Sequence, residues 1–123
     1  MELQRKIFDK MLAWKHNSNG KSALLIEGAR RTGKSTIASK LGKEQYDSYV
    51  LLDFAIASKK IKENFHENLN DLDTFFQIIS LEYNVRLIKR KTLIVFDEIQ
   101  KFPKAREAIK YLVADGGYDF LRE

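Results

Sequence analysis

Residues 28–35 form a glycine-bounded segment that reads Gly-Ala-Arg-Arg-Thr-Gly-Lys-Ser and fits the pattern G-x-x-x-x-G-K-[ST] without substitution. Glycines in such a loop let successive backbone N–H groups point at phosphate oxygens, and the N-terminus of the following helix adds a positive dipole. In this pattern Lys34 reaches the β- and γ-phosphates, and the Ser35 hydroxyl holds Mg²⁺. The segment therefore predicts a site for a nucleoside triphosphate.

The sequence on either side of this loop suits the structure that the loop requires. Residues 22–27 form a short apolar run typical of a buried strand, and residues 35–41 place Ile37 and Leu41 four apart, as on one face of a helix. Strand, loop and helix then follow in order. We expect every loop residue to contact the nucleotide: Gly28, Ala29, Arg30, Arg31, Thr32, Gly33, Lys34 and Ser35.

A second motif is the apolar run at residues 92–96, which ends in the acids Asp97 and Glu98. A buried parallel strand is a near-continuous hydrophobic run, and open α/β sheets bind ligands at the carboxyl ends of their strands. We expect Asp97 to orient a water on Mg²⁺ and Glu98 to polarise the attacking water. The alternative is an acid that only caps the next helix.

The composition limits the classes of protein that this chain can belong to. Its 123 residues suffice for one small domain, and a hydrophobic fraction of 44% permits a buried core. The lack of cysteine excludes disulfides and thiolate metal sites and suits a reducing compartment. No apolar run approaches the length of a membrane span, and the N-terminus lacks a signal-peptide core. We therefore expect a cytoplasmic location and no membrane partner.

The net charge of +5, from 22 basic and 17 acidic residues, favours contact with polyanions. Part of this charge belongs to the loop, and the rest is spread over residues 59–62 and 86–91. No recognition helix or zinc finger is visible. Nucleic acid therefore stays a hypothetical partner, and solvated helix faces are the simpler explanation of the charge.

The chain alternates between helical and extended patterns. The first predicted element is a leading helix at 2–16. In a nucleotide-binding core at 21–123 there follow a strand at 22–27, a loop helix ending near Gly42, a strand at 49–54, a helix capped by Ser58, a helix starting at Asn70 or Asp71, a strand at 93–96, a helix between Pro103 and Gly116, and a strand beginning at Tyr118. Such alternation predicts an α/β fold with a parallel sheet covered on both faces.

The loop and the Phe-Asp-Glu-Ile-Gln segment together resemble a known family. The chain is similar to prokaryotic AAA-type P-loop ATPases whose loops read Gly-x-Arg-Arg-x-Gly-Lys-[Ser/Thr] and whose third strand ends in Asp-Glu-[Ile/Val]-Gln. The resemblance covers essentially the whole chain, as the N-terminal part of such a domain. It implies a three-layer α/β/α fold of the additional-strand type that binds ATP and Mg²⁺. It also implies Thr36 as a nucleotide contact, Lys34 and Glu98 as catalytic residues, and Ser35 and Asp97 as metal ligands.

The chain departs from this family in length. In that family a fourth strand lies between the loop strand and the Asp-Glu strand, and a sensor residue, a fifth strand and usually a C-terminal domain follow. This chain reaches Glu123 as the fourth strand starts, so we expect a truncated sheet in which both flanking strands expose an apolar edge. We therefore expect a marginally stable, oligomeric or aggregating product with near-background ATPase activity. A specific oligomer or a protein partner would make its contacts through the missing C-terminal region.

Three alternatives to an active ATPase are open from the sequence. The chain could bind ATP without turnover, it could be a non-enzymatic interaction fragment, or it could be a small-molecule P-loop kinase with Arg86 and Arg90 in a lid. The guanine-reading pattern Asn-Lys-x-Asp does not occur, which favours ATP over GTP.

A few further residues are weaker candidates for the site. Asp53 ends the second strand and could assist there, Gln100 could sense the γ-phosphate, and Arg31 could contact phosphate or a neighbouring subunit. His16 and His66 lie outside both motifs and are expected at the surface. Because no cluster of histidines and acids occurs, we expect no transition-metal site.

Overall fold

The computed structural model of the chain describes residues 2–18, 22–25 and 34–122. Along the chain the elements are α1 (Glu2–Ser18), β1 (Leu24–Leu25), α2 (Lys34–Gln45), β2 (Ser48–Asp53), α3 (Lys59–Glu67), α4 (Leu72–Tyr83), β3 (Thr92–Asp97), α5 (Pro103–Asp115) and β4 (Asp119–Arg122). A short 3₁₀ turn, Ile99–Lys101, joins β3 to α5. None of the helices in these ranges is both long and apolar enough to cross a membrane.

The four described strands form one parallel sheet in the order β1-β4-β3-β2. β2 and β3 pair over their whole length, from Ser48 opposite Thr92 to Asp53 opposite Asp97. Residues 92–96 of β3 are all buried, as expected for an inner strand with helices packed against it. The predicted α/β fold with a parallel sheet is confirmed.

β4 fills the gap between the loop strand and β3. Leu121 pairs with Leu24 on one side and with Val95 on the other, and the first three residues of β4 are buried. The expectation that these two strands face each other with exposed edges is therefore wrong, because the four residues of β4 are enough to pair with both. The strand order implied by the resemblance holds, and the oligomeric state stays a prediction.

Two hydrophobic clusters use alternate residues of β3. Ile94 and Phe96 belong to a cluster that includes residues of α3, α4 and α5, whereas Leu93 and Val95 belong to one that includes Met11 of α1 and residues of α2. Side chains of a strand point alternately to opposite faces of the sheet, so one short apolar strand supplies both clusters. This double use explains why β3 has no polar residue between Thr92 and Asp97.

Predicted helix boundaries on this chain follow local hydrogen-bond chemistry. The Ser58 side chain accepts a hydrogen bond from the Ile61 N–H at 3.2 Å, and that of Asp71 accepts one from the Thr74 N–H at 3.3 Å. Pro103 occupies the start of α5, and Gly116 ends it with φ of 76°. These four signals are confirmed because each satisfies or avoids an unpaired backbone group at a helix end.

Gly42 does not end the loop helix, contrary to the prediction, since α2 continues to Gln45. A Cβ atom at Gly42 would lie 2.5 Å from Cγ of Tyr49, on the neighbouring strand β2. Because glycine has no Cβ atom, the helix backbone can lie close to the aromatic ring at this position. Sequence alone cannot distinguish this use of glycine from a helix stop.

A polar clasp at the amino edge of the sheet joins three segments of the chain. The Tyr46 hydroxyl donates to Oδ2 of Asp119 at 2.5 Å, and Nη2 of Arg90 donates to Oδ1 at 2.7 Å. Tyr46 follows α2, Arg90 precedes β3, and the buried Asp119 begins β4. Buried carboxylates are costly unless their lone pairs are satisfied, so this pairing stabilises the start of β4 in its place.

We expect Tyr46→Phe to lower the free energy of unfolding by about 1.5–3 kcal/mol, because it removes a hydrogen bond to a buried charge. Tyr49→Phe is the matched control, since the Tyr49 hydroxyl has no hydrogen-bond partner among the described residues. Urea denaturation of both variants measures the difference. Equal stabilities would show that the clasp contributes nothing.

The clasp also makes stability depend on pH. Burial and the hydrogen bond to Asp119 raise the pKa of Tyr46 well above its ordinary value of 10.0. The folded state thus favours the protonated phenol, and this contribution is complete below pH 10 and is lost as pH rises further. Above pH 10 the free energy of unfolding of Tyr46→Phe should fall less steeply than that of the wild type, by up to about 1.4 kcal/mol per pH unit. Denaturation at pH 9, 10 and 11 checks the slopes.

Candidate functional site

The carboxyl ends of the strands gather the candidate residues at one edge of the sheet. Asp53 and Asp97 are paired neighbours at the ends of β2 and β3. On the other side of β3, Arg122 of β4 pairs with both Phe96 and Leu25. Leu25, Arg122 and Phe96 therefore lie side by side in the sheet, one position before Asp97, and β1 runs parallel to β3 toward the edge where Asp97 lies.

β4 sets the spacing between the two motifs. Strands in a sheet lie roughly 4.8 Å apart, so β1 and β3, with β4 between them, are about 10 Å apart. The strand that ends in the carboxylate of the second motif and the strand that leads into the first motif are therefore separated by the width of one strand rather than adjacent.

The loop itself lies outside the described residues, which applies to Gly28, Ala29, Arg30, Arg31, Thr32 and Gly33. The helix that follows begins at Lys34, and its backbone is helical through Ser35 and Thr36, whose side chains, like that of Lys34, are outside the described part. The first turn of α2 contains no acidic residue. A helix N-terminus without acids is electrostatically suited to an anion.

Glu98 has an unusual backbone conformation. Its φ of 56° and ψ of 40° lie in the left-handed region, directly between the end of β3 and the 3₁₀ turn. This conformation costs a residue with a Cβ atom roughly 1–2 kcal/mol. Strained residues of this kind concentrate at functional sites, where the surrounding structure holds them in place.

Gln100 holds the side chain of Glu98. Its Nε2 donates to Oε2 of Glu98 at 2.7 Å, across the 3₁₀ turn. The sequence suggested Gln100 as a direct sensor of phosphate, whereas the structure shows it bound to the candidate base. The sequence does not predict this contact, although Gln100 and Glu98 are only two residues apart, because the contact depends on the left-handed conformation of Glu98.

Asp53 and Asp97 are connected through the backbone beyond the last ladder pair. The Phe54 N–H donates to the Asp97 carbonyl at 2.9 Å, and the Ala55 N–H donates to Oδ1 of Asp53 at 2.9 Å. The Asp53 side chain thus stabilises the turn after β2 and lies one strand from Asp97. The sequence-based suggestion that Asp53 assists the site stays a prediction.

Magnesium suits the donors at this edge. Mg²⁺ prefers oxygen ligands and usually takes one or two carboxylates together with phosphate oxygens and water. Within the described ranges no group of three or more histidine or acidic side chains converges. The Asp97 carboxylate and the Ser35 hydroxyl, which the sequence predicts as metal ligands, are oxygen donors of this kind.

Arg86 and Arg90 lie at the wrong edge of the sheet for a kinase lid. Both precede β3, and Arg90 binds Asp119 at the start of β4. The amino ends of parallel strands lie opposite the edge that carries Asp97. The lid assignment is therefore wrong.

The two histidines, His16 and His66, are exposed, as expected.

An aromatic cluster supports the candidate site from below. Phe54 follows β2, Phe102 precedes α5, and both contact Phe65 of α3 with ring centroids 5.5 Å apart. Phe54 also meets Phe96 of β3 edge-on at 5.3 Å. These contacts join the turns after β2 and β3, so the segments that carry Asp53 and Glu98 rest on one rigid cluster.

Replacing Glu98 tests whether its backbone is strained. We expect Glu98→Gly to unfold with a free energy about 1 kcal/mol higher than Glu98→Ala, because glycine adopts the left-handed region without the Cβ penalty. The same pair at Glu107, inside α5, should show the opposite sign by about 1 kcal/mol. Chemical denaturation compares the four variants. A destabilising glycine at both positions would contradict the strain.

The comparison with known proteins agrees with this geometry. A family model described as an AAA domain matches residues 20–122, which include the loop, both acids of the second motif and all four strands. No curated protein and no solved structure matches the chain significantly. The family model covers well over half of the 123 residues. The chain therefore belongs to the AAA domain family.

Proposed function

We propose that the chain binds Mg·ATP at the carboxyl edge of its sheet and hydrolyses it. The observation that carries the proposal is the strand order: β4 alone separates β1 from β3, and Leu25 of β1 lies level with Phe96, the residue before Asp97. Membership of the AAA domain family supports nucleotide binding. The two hydrophobic clusters on β3 support the finer assignment to a three-layer, additional-strand fold.

In this proposal the loop and the start of α2 hold the phosphates. The residues assigned to nucleotide binding are Gly28, Ala29, Arg30, Arg31, Thr32, Gly33, Lys34, Ser35 and Thr36. Backbone N–H groups at the N-terminus of a 12-residue helix favour an anion, and the Lys34 ammonium adds a full positive charge. Lys34 would also stabilise the negative charge that develops as the terminal phosphate leaves.

Ser35 and Asp97 are the residues that would hold the metal. The Ser35 hydroxyl would bind it directly, and the Asp97 carboxylate would bind it through a water. When bound, Mg²⁺ neutralises phosphate charge and fixes the orientation of the phosphates. Asp97 is in register with Asp53, so one further carboxylate lies at the same edge.

Glu98 is the proposed general base. Its carboxylate would accept a proton from the attacking water, while Gln100 keeps Oε2 in a fixed position. Glu98 has a left-handed backbone, and the rings of Phe96 and Phe102 on either side of its turn pack in the aromatic cluster. Glu98 therefore combines a proton acceptor with a rigid support, which general-base catalysis requires.

ATP binding without turnover is the main competing function. The argument for it was an unfinished sheet, and the pairing of β4 with both neighbours removes that argument for the described strands. Phosphate release by the chain, with a protein-free sample as the blank, decides between the two functions. A wild-type rate equal to this blank, with ATP binding retained, would establish binding without hydrolysis.

Lys34→Ala tests the phosphate site. Loss of a hydrogen bond from a charged group should weaken Mg·ATP binding by about 1.5–3 kcal/mol. Lys43→Ala removes the same charge from the exposed last turn of α2 and should leave the affinity unchanged. Isothermal titration calorimetry measures both. Equal affinities for Lys34→Ala and the wild type would reject this role for Lys34.

Glu98→Gln tests the chemistry separately from binding. We expect turnover to fall by about 10²–10⁴-fold while ATP still binds, because the amide keeps the shape of the carboxylate and cannot accept the proton. Gln100→Ala should give a rate between those of Glu98→Gln and the wild type. Glu44→Gln, at the exposed end of α2, is the control. A wild-type rate for Glu98→Gln would make Glu98 a structural residue only.

A further inference from the structure

A wide groove runs along α5, and neither Asp97 nor Glu98 lines it. Its volume is about 1170 Å³, and its walls are α5 on one side and Ser22, Ala23 and Arg122 on the other. The wall at Ser22 is held firmly, because the Ser22 N–H donates to Oγ of Ser18 at 2.9 Å. The groove therefore lies between a packed helix and the outer strand β1.

The lining of this groove is strongly basic. Lys104, Arg106 and Lys110 come from α5 and Arg122 comes from β4, against the single acid Glu107. Within the part of the chain that the structure describes, none of the four cations forms an ion pair. The buried face of α5, with Ala105, Ala108 and Leu112, packs into the core and fixes which residues face outward. Four uncompensated cations in one concavity attract a polyanion.

Tyr111 adds an aromatic surface to the same groove. It is 67% exposed and lines the groove beside Lys110. Ile56 and Leu81 are also exposed, but neither lines this groove. An exposed aromatic ring among cations is the combination that binds single strands, since bases stack on the ring while phosphates contact the charges.

We propose that this groove binds single-stranded nucleic acid, with phosphates at the four cations and a base stacked on Tyr111. Charge complementarity selects a polyanion, and the exposed ring favours a nucleic acid over an acidic polypeptide, which has no base to stack. α5 is about 20 Å long, so the groove accommodates a short stretch of strand. The lining of the groove includes neither Asp97 nor Glu98, and the proposal does not rest on the proposed ATPase activity.

A pair of matched double variants tests the charge contribution. The probe is a fluorescein-labelled 20-nucleotide oligothymidylate, and its affinity for the 123-residue chain is measured by anisotropy between about 50 and about 200 mM salt. Arg106→Ala with Lys110→Ala should weaken binding at least tenfold and reduce the salt slope by about 1.4. Lys6→Ala with Lys10→Ala removes two exposed charges at the same spacing from α1 and should leave the slope unchanged.

Tyr111 variants test the stacking contribution. Tyr111→Ala should weaken binding about fivefold or more without changing the salt slope, and Tyr111→Phe should keep the wild-type affinity. ATP affinity, measured on the same samples, should be unaltered in every groove variant. A failure of the groove is then distinguishable from a failure of the nucleotide site.

Four results would overturn the proposal. One is no binding of the oligothymidylate at low salt, and another is an equal loss from the α1 and α5 double variants. A third is wild-type affinity in Tyr111→Ala together with polyglutamate competing as well as unlabelled oligothymidylate. This pair of results would assign the groove to an acidic protein segment. The fourth is a dimer by sedimentation whose dissociation accompanies the loss of Arg106 and Lys110, which would assign it to a second copy.

Discussion

The pairing of β4 with both β1 and β3 is the constraint on which the rest of the structure depends. Four residues set the distance between the strand that leads into the phosphate loop and the strand that ends in Asp97. Backbone pairing alone would hold so short a strand weakly. Phe120 and Leu121 supply burial on opposite faces, and Asp119 supplies the polar clasp at its start. The geometry of the candidate site is thus a consequence of contacts at the far end of β4.

The two edges of the sheet are stabilised by different physics. At the amino edge, the starts of the strands are held together by hydrogen bonds to the buried carboxylate of Asp119 and by a 2.7 Å hydrogen bond between the Ser48 and Thr92 hydroxyls. At the carboxyl edge, edge-on contacts among phenylalanines hold the turns after β2 and β3. The apolar support at the carboxyl edge leaves the polar side chains of that edge available to the ligand that we propose. Such a support also bears the strain at Glu98, because aromatic packing resists the movement that would relax the turn.

The type and order of the elements could be predicted from local sequence, and the contacts between distant elements could not. Apolar runs, Ser58, Asp71, Pro103 and Gly116 act through neighbouring residues, so their effects are visible in the sequence. The predicted helix end at Gly42 was wrong because the close approach of the Tyr49 ring, on another strand, requires a glycine at this position. The completeness of β4 was missed because strand pairing in a sheet depends on two partners distant in sequence. The site that the motif residues predict stays a prediction, and the contact from Gln100 to Glu98 depends on a backbone conformation that the local sequence does not reveal.

The orientation of α2 follows from contacts that are far from its N-terminus. Leu41 packs in a cluster with Leu93 and Leu121, Gly42 contacts the ring of Tyr49, and Tyr46 binds Asp119. These contacts are to three different strands, so the helix cannot rotate or slide without separating at least one of them. A helix of 12 residues is about 18 Å long, and its first turn therefore lies about that distance from the clasp. Packing against the three strands therefore sets the direction of the helix dipole, and such preorganisation is what the proposed electrostatic binding of a phosphate requires.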